Sequence, residues 1–185
     1  IITVLSALCL FGLVGCGQDA LTESDLIKMG YKIVVIYDYQ GGKIDDKDSI
    51  KIRVKENSKL PEPGAENSDI ALPVRKGYSV KNFCVAKTDD AGNLVLDENN
   101  NPIPDRVWDF ANDTASENIT LLTQWWENYR MVLHFGDGYA QTKTVSVPRE
   151  KDGTPTVVYT SAFKEEGYTF FGDYYLDIEE TTKID

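Results

Sequence analysis

The sequence predicts a mainly-β protein, α+β at most, built from two similar units in tandem, the second shorter than the first. Three observations carry this. Apolar residues recur at every second position in several short runs, the period of a half-buried strand. No segment holds a long helical period. And the chain repeats itself. Shifted by 98 residues, "YKIVVIY" falls on "YRMVLHF", so that Tyr31, Ile33, Val35 and Tyr37 meet Tyr129, Met131, Leu133 and Phe135. "GYSV" at Gly77 returns as "GYTF" at Gly167, a shift of 90.

Taken in order, Ile1 to Gln18 hold no charged side chain. Gly17 to Gly30 read as a tether with one short helix, Thr22 its N-cap and Gly30 its stop. "YKIVVIYDY" places Tyr31, Ile33, Val35, Tyr37 and Tyr39 on one face. β-branched and aromatic residues dominate it, as strands favour. "QGGKIDDKDS" breaks the run, and "IKIRVK" alternates again from Ile50 to Lys55. "KLPEPGAENS" is a proline-bearing loop, and "GYSVKNFCVA" the next strand. Turn residues then bracket a short strand at Asn93 to Asp97. "RVWDF" and "NITLLTQWW" read as two more strands.

Composition excludes some roles. The 185 residues carry 30 acidic and 19 basic side chains, a net charge of −11. Duplex nucleic acid is held by basic side chains that displace counterions, so no nucleic-acid partner is expected. An anionic lipid surface would be repelled in the same way.

The N-terminal run ends in Leu13-Val14-Gly15-Cys16, which resembles the lipobox of bacterial lipoproteins. That resemblance implies a signal peptide over residues 1–15, cleavage before Cys16 and a lipid on its thiol. The membrane partner would then be reached through Cys16, in the bacterial cell envelope. The competing reading is an uncleaved membrane helix, for which eighteen uncharged residues sit at the lower limit; the glycines at 12, 15 and 17 suit a cleavage site better. The absence of an initiator Met and basic leader points to further residues before Ile1. Cys9 would leave with the signal, and Cys84 alone would remain, so no internal disulfide is expected.

After residue 30 the motifs resemble the Listeria–Bacteroides repeat, also called the internalin B-type repeat. In the first copy the elements are "YKIVVIYDYQGG", "LPEPG", "GYSVKNFC", "WDF" (Trp108 to Phe110) and "ITLLTQW" (Ile119 to Trp125). In the second they are "YRMVLHFGDG" and "GYTFFGDYY". The first repeat spans 31–126 with an inserted hairpin at about 87–106, and the second spans 129–185. The family's "GYTFxGWY" has its Trp replaced by Phe83 in one copy and Asp173 in the other, and its Gly by Asn82 in the first. The resemblance implies small β-grasp-like units, mixed sheets with at most a short helix. It implies no catalytic residues and no cofactor, and a role as spacer, stalk or interaction module. The second copy ends 18 residues after Gly167, whereas the first runs 48 from Gly77 to Trp125. The chain is therefore expected to continue beyond Asp185, the unfinished repeat leaving aromatics of "EEGYTFFGDYYLD" uncovered.

His134, the sole histidine, names no partner nucleophile, and a surface strand position is expected for it. Acid pairs such as Asp45/Asp46 are ordinary loop charge in so acidic a chain. Asp97, Asn99, Asn101 and Asp105 offer oxygen ligands, but Pro102 and Trp108 stand where a calcium loop needs Gly and Glu; a plain turn and no metal are expected. The sequons at Asn112 and Asn118 carry no weight beside a bacterial lipobox. Alternation sends Trp125 to the core and Trp126, with Leu122, to the opposite face. Trp126 and Leu122 are thus candidates for packing between repeats or for contact with a partner. An exposed Trp126 would also suit carbohydrate capture. The partner, protein or glycan, is not named by the sequence. A third reading is an enzyme whose catalytic domain lies past Asp185.

Overall fold

The structure is a computed structural model and describes residues 21–135 and 141–156. The chain divides into two compact units, Ile1–Trp126 and Glu127–Asp185. The fold is mainly β, with one short helix and two sheets among the described residues. The Leu13–Cys16 motif, Cys9 and the stretch Glu165–Asp177 lie outside the described residues.

In the first unit, helix α1 (Glu23–Lys28) is followed by β1 (Ile33–Asp38), β2 (Ser49–Val54), β3 (Tyr78–Ala86), β4 (Pro104–Val107) and β5 (Ile119–Glu127). The five strands form one sheet in the order β2-β1-β5-β3-β4. β1 pairs antiparallel with β2, Val35 opposite Ile52 and Tyr37 opposite Ile50. On its other side β1 pairs parallel with β5, Tyr37 opposite Leu121. The sheet is thus mixed, with the unit's first and last strands side by side in its middle. A parallel pair needs a long crossover, and everything from β2 to the start of β5 supplies it.

One face of the sheet makes the core. Val35, Tyr37 and Tyr39 of the β1 segment, Ile52 and Val54 of β2, Phe83 of β3 and Leu121 of β5 are buried together. These are the alternating positions expected of the first two strands. Leu60, Ile70, Trp108 and Ala115 cover them from the loops. No helix lies in the 55–77 stretch; the loop packs directly, and the Tyr37 hydroxyl donates to the Pro61 carbonyl at 2.8 Å.

Helix α1 begins where expected. Thr22 caps it, its hydroxyl oxygen accepting from Asp25 N–H while the Asp25 carboxylate accepts from Thr22 N–H. This reciprocal pair satisfies two amides that a helix leaves orphaned. Gly30, with φ +91°, ends it. The segment is not only a tether, however. Leu26 is 2% exposed, and Glu23 forms an ion pair with Arg53 of β2. One buried leucine and one charge pair dock the helix on its own unit.

Two strand expectations are corrected. The short strand at Asn93 to Asp97 is absent as a strand; Leu94 and Leu96 make only isolated bridges, to Thr88 and Pro102. The inserted hairpin is instead three short segments joined in a ring. Lys87 N–H donates to Ile103, Ile103 N–H to Val95, and Val95 N–H to Lys87. The strand expected over Arg106 to Phe110 shifts to Pro104–Val107, where it pairs with β3. Trp108, Asp109 and Phe110 leave it in a turn, because the Asp109 carboxylate takes the N–H groups of Ala111 and Asn112. Asp side chains that bind the backbone just ahead compete with a ladder in this way.

In the second unit, β6 (Tyr129–Phe135) and β7 (Gln141–Val147) form an antiparallel hairpin, from Tyr129 opposite Val147 to Phe135 opposite Gln141. Arg149 donates to the Glu127 carbonyl and lies 3.8 Å from the centre of the Tyr129 ring.

Candidate functional site

The chemistry-bearing features of the first unit gather around the two ends of β5. At its C-terminal end Trp125 clasps the turn after β1. Its indole N–H is shared between the carbonyls of Tyr39 (3.0 Å) and Gln40 (3.1 Å). The ring lies so close to Gly42 that a Cβ there would sit 2.4 Å from Trp125 Cζ2. Gly41, with φ +82°, turns the chain. Gln40, also at positive φ, is held from the far side, its carbonyl accepting from Arg75. The Gly pair and the closing Trp, 83 positions apart in sequence from Gly42 to Trp125, are thus one lock. The ring is half-buried at the core margin rather than inside it.

Trp126 points the other way. The Lys81 ammonium of β3 sits 4.2 Å from its ring centre, a cation–π geometry. Trp126 itself is partly buried. Leu122, on the same side, is 0% exposed, so it offers no surface to an outside partner.

At the other end of β5, Asn118 accepts from Val34 N–H at 2.8 Å and so fixes the start of the parallel pair. Asn112 donates its amide to Asp109. Both sequon asparagines thus have structural bonds. Nearby, Phe83 packs edge-to-face with Tyr37 (6.3 Å) and Phe110 (5.7 Å). Trp108 is 4% exposed, and its indole N–H is buried with no hydrogen-bond partner among the described residues. Phe83 is therefore the centre of an aromatic cluster drawn from three separate segments, which no local sequence pattern announces.

A cleft of about 290 Å³ opens beside this cluster, between the end of β3 and the loop before β5. Its walls include Lys87, Asp105, Ser116 and Glu117, of mixed charge. Trp108 also borders it but is too deeply buried to offer a flat face for a sugar ring.

The acids of the insert serve their own turns. Asp97 accepts from the N–H groups of Asn99 (2.9 Å) and Asn101 (2.8 Å). Asp89 does the same for Ala91 and Asn93, eight residues earlier. These backbone bonds, that from Asn101 foremost for Asp97 and that from Asn93 for Asp89, hold both carboxyls below the ordinary aspartate value of 3.8. Hydrogen bonds to the charged form have that effect. Among the described residues no group of three or more His, Cys, Asp or Glu side chains is placed to hold a metal. His134 lies in β6, its backbone opposite Thr142.

Cys84 is a free, buried thiol on β3. Burial pushes its pKa up, and the nearby Lys81 charge opposes this only in part. The thiolate is the reactive form, so folded protein is expected to resist alkylation. Iodoacetamide at neutral pH should label Cys84 at least about tenfold faster in denaturant than in buffer. Mass spectrometry of the Cys84 peptide reads this directly; equal rates would contradict the buried geometry.

Fold and site define a mainly-β protein whose described aromatics chiefly lock its own sheet. Comparison with family models, curated proteins and solved structures finds no match. No helix of the described residues is long and apolar enough to cross a membrane.

Proposed function

We propose that the chain is a bacterial surface lipoprotein, tethered by a lipid on Cys16, that presents β-grasp-like modules as a spacer or an adhesive, protein-binding surface. The observation that carries the reading is the uncharged run ending in Leu13-Val14-Gly15-Cys16. The module half draws support from the first unit's mixed sheet, with β1 and β5 parallel at its centre. It draws support also from the antiparallel hairpin that opens each unit, and from the lock between the Gly pair and Trp125. Carbohydrate capture through Trp126 has less behind it, since that ring is partly buried under Lys81.

The test is expression of the full reading frame in a bacterial host fed an alkyne-tagged fatty acid. Wild-type protein is expected to take up the label and to sediment with membranes. Cys16→Ala is expected to lose the label and to leave the lipid-bound fraction. An unlabelled wild type, or a Cys16→Ala variant still lipidated, would overturn the anchor.

A further inference from the structure

The outer edge of β2 carries a feature that the lipid anchor does not explain. Among the described residues β2 has a single strand neighbour, β1. Which of its backbone groups face outward follows from two hydrogen bonds. Val34 N–H points toward β5, because it donates to Asn118 beside Ile119. Tyr39 N–H points toward β2, because it donates to the Asp48 carbonyl. Successive residues of a strand present their N–H and C=O to opposite sides. Val35 and Tyr37 therefore bond to Ile52 and Ile50, their partners in the register. Ser49, Lys51 and Arg53 then turn their N–H and C=O away from the sheet. No backbone hydrogen bond to these outward groups is found among the described residues.

The two edges of the sheet are guarded differently. β4 has four residues, begins with a proline and pairs through a register shift at Val85/Ala86. Those are recognised ways of blunting an edge. β2 has six residues with no proline and no register shift. The guard its own side chains supply is positive charge. From Ser49 to Lys55 the sequence holds Lys51, Arg53 and Lys55 and no acid, in a chain of net charge −11. Lys51 is exposed. Arg53 is already neutralised by Glu23, which shows one acidic group accommodated beside this strand. On the other face of β2, Ile50 is only partly buried.

We propose that the outer edge of β2 binds an extended peptide segment of another protein, one in which acidic and β-branched residues alternate. The segment adds a sixth strand by backbone hydrogen bonds to Ser49, Lys51 and Arg53. Its acids lie beside Lys51 and Lys55, and its apolar side chains lie beside Ile50. Main-chain bonds supply affinity in such strand addition, and alternate side chains supply specificity. The like charges that disfavour a second copy of β2 at this edge favour an acidic strand. The inference gives the proposed interaction role a particular surface. It is separable from the anchor, because the edge is the same whether or not Cys16 carries lipid.

The experiment uses the chain Ile1–Asp185 and a synthetic probe, acetyl-TVEVEVT-amide, with acetyl-TVKVKVT-amide as the control. Amide hydrogen exchange is read residue by residue. Saturating acidic probe is expected to slow exchange at Lys51 and Arg53 by about tenfold or more, leaving the β1 amides unchanged. The lysine probe is expected to have no effect. Raising the salt from about 0.05 M to about 0.5 M is expected to weaken the acidic probe severalfold, because exposed charges are screened. Lys51→Pro removes an outward N–H without breaking the bonds to β1 and is expected to abolish binding. Lys51→Glu keeps the backbone donor and is expected to weaken binding about tenfold; it also serves if the proline variant fails to fold. Equal binding of both probes, or undiminished binding by Lys51→Glu, would overturn the proposal. So would amides of Lys51 and Arg53 already protected without any probe.

Discussion

Gly42→Ala is expected to be among the most damaging small substitutions in the protein. The added methyl would lie 2.4 Å from Trp125 Cζ2 and 3.2 Å from the Tyr39 carbonyl oxygen. The indole cannot simply move, because its N–H is committed to Tyr39 and Gln40. Overpacking of this kind costs about 1–3 kcal/mol. Trp125→Ala removes the ring and both bonds and is expected to cost about 3 kcal/mol or more. The pair should be strongly non-additive, since removing the indole removes the severe clash and leaves the methyl only its 3.2 Å approach to the Tyr39 carbonyl oxygen. Urea denaturation of the two single variants and the double variant, followed by circular dichroism, gives the coupling. Additive losses would mean that the clasp is not what sets the turn.

Phe83→Ala is expected to cost about 3–5 kcal/mol, the range for deleting a buried aromatic ring. Phe83 is 4% exposed and is the ring shared by Tyr37 and Phe110. Its loss would loosen β3 against β1 through the core and uncouple the Trp108–Phe110 turn, whose Trp108 N–H donates to the Phe83 carbonyl. Trp108→Phe should be far milder, within about 1 kcal/mol, because the indole N–H it removes has no partner to lose. The order of these two is the check. If Trp108→Phe proves the costlier, the centre of the cluster has been misplaced.

Several elements were legible in the residues. The β1 and β2 alternation set which side chains are buried, because a period of two leaves a strand one way to hide its apolar set. The cap at Thr22 and stop at Gly30 were legible because both are local chemistry. The insert was not. "NLVLD" has strand composition, but its neighbours in the ring, at Lys87 and Ile103, are backbone groups that no periodicity announces. The same holds for "WDF", where one carboxylate, Asp109, outweighs the strand preference of the aromatics on either side. For Leu122 and Trp126, alternation assigns a face of β5 and says nothing of what covers it; Leu122 is fully buried and Trp126 partly so.

The sequence by itself determined the mainly-β class, the strands β1, β2, β3 and β5 of the first unit's sheet, the acidic character that disfavours nucleic acid, and the Leu13-to-Cys16 motif on which the anchoring proposal rests. These are properties of composition and short-range pattern. Only the tertiary structure decided that Gly42 and Trp125 form one lock, that Phe83 joins Tyr37 and Phe110, that α1 docks on its own unit, and that β2 turns Ser49, Lys51 and Arg53 outward. Each of these joins residues from different elements, or depends on which strand lies beside which. For the Gly42–Trp125 lock the cause is the β1–β5 parallel pairing, which closes a crossover of some eighty residues. Strand propensity and alternation contain nothing that selects a partner at that distance.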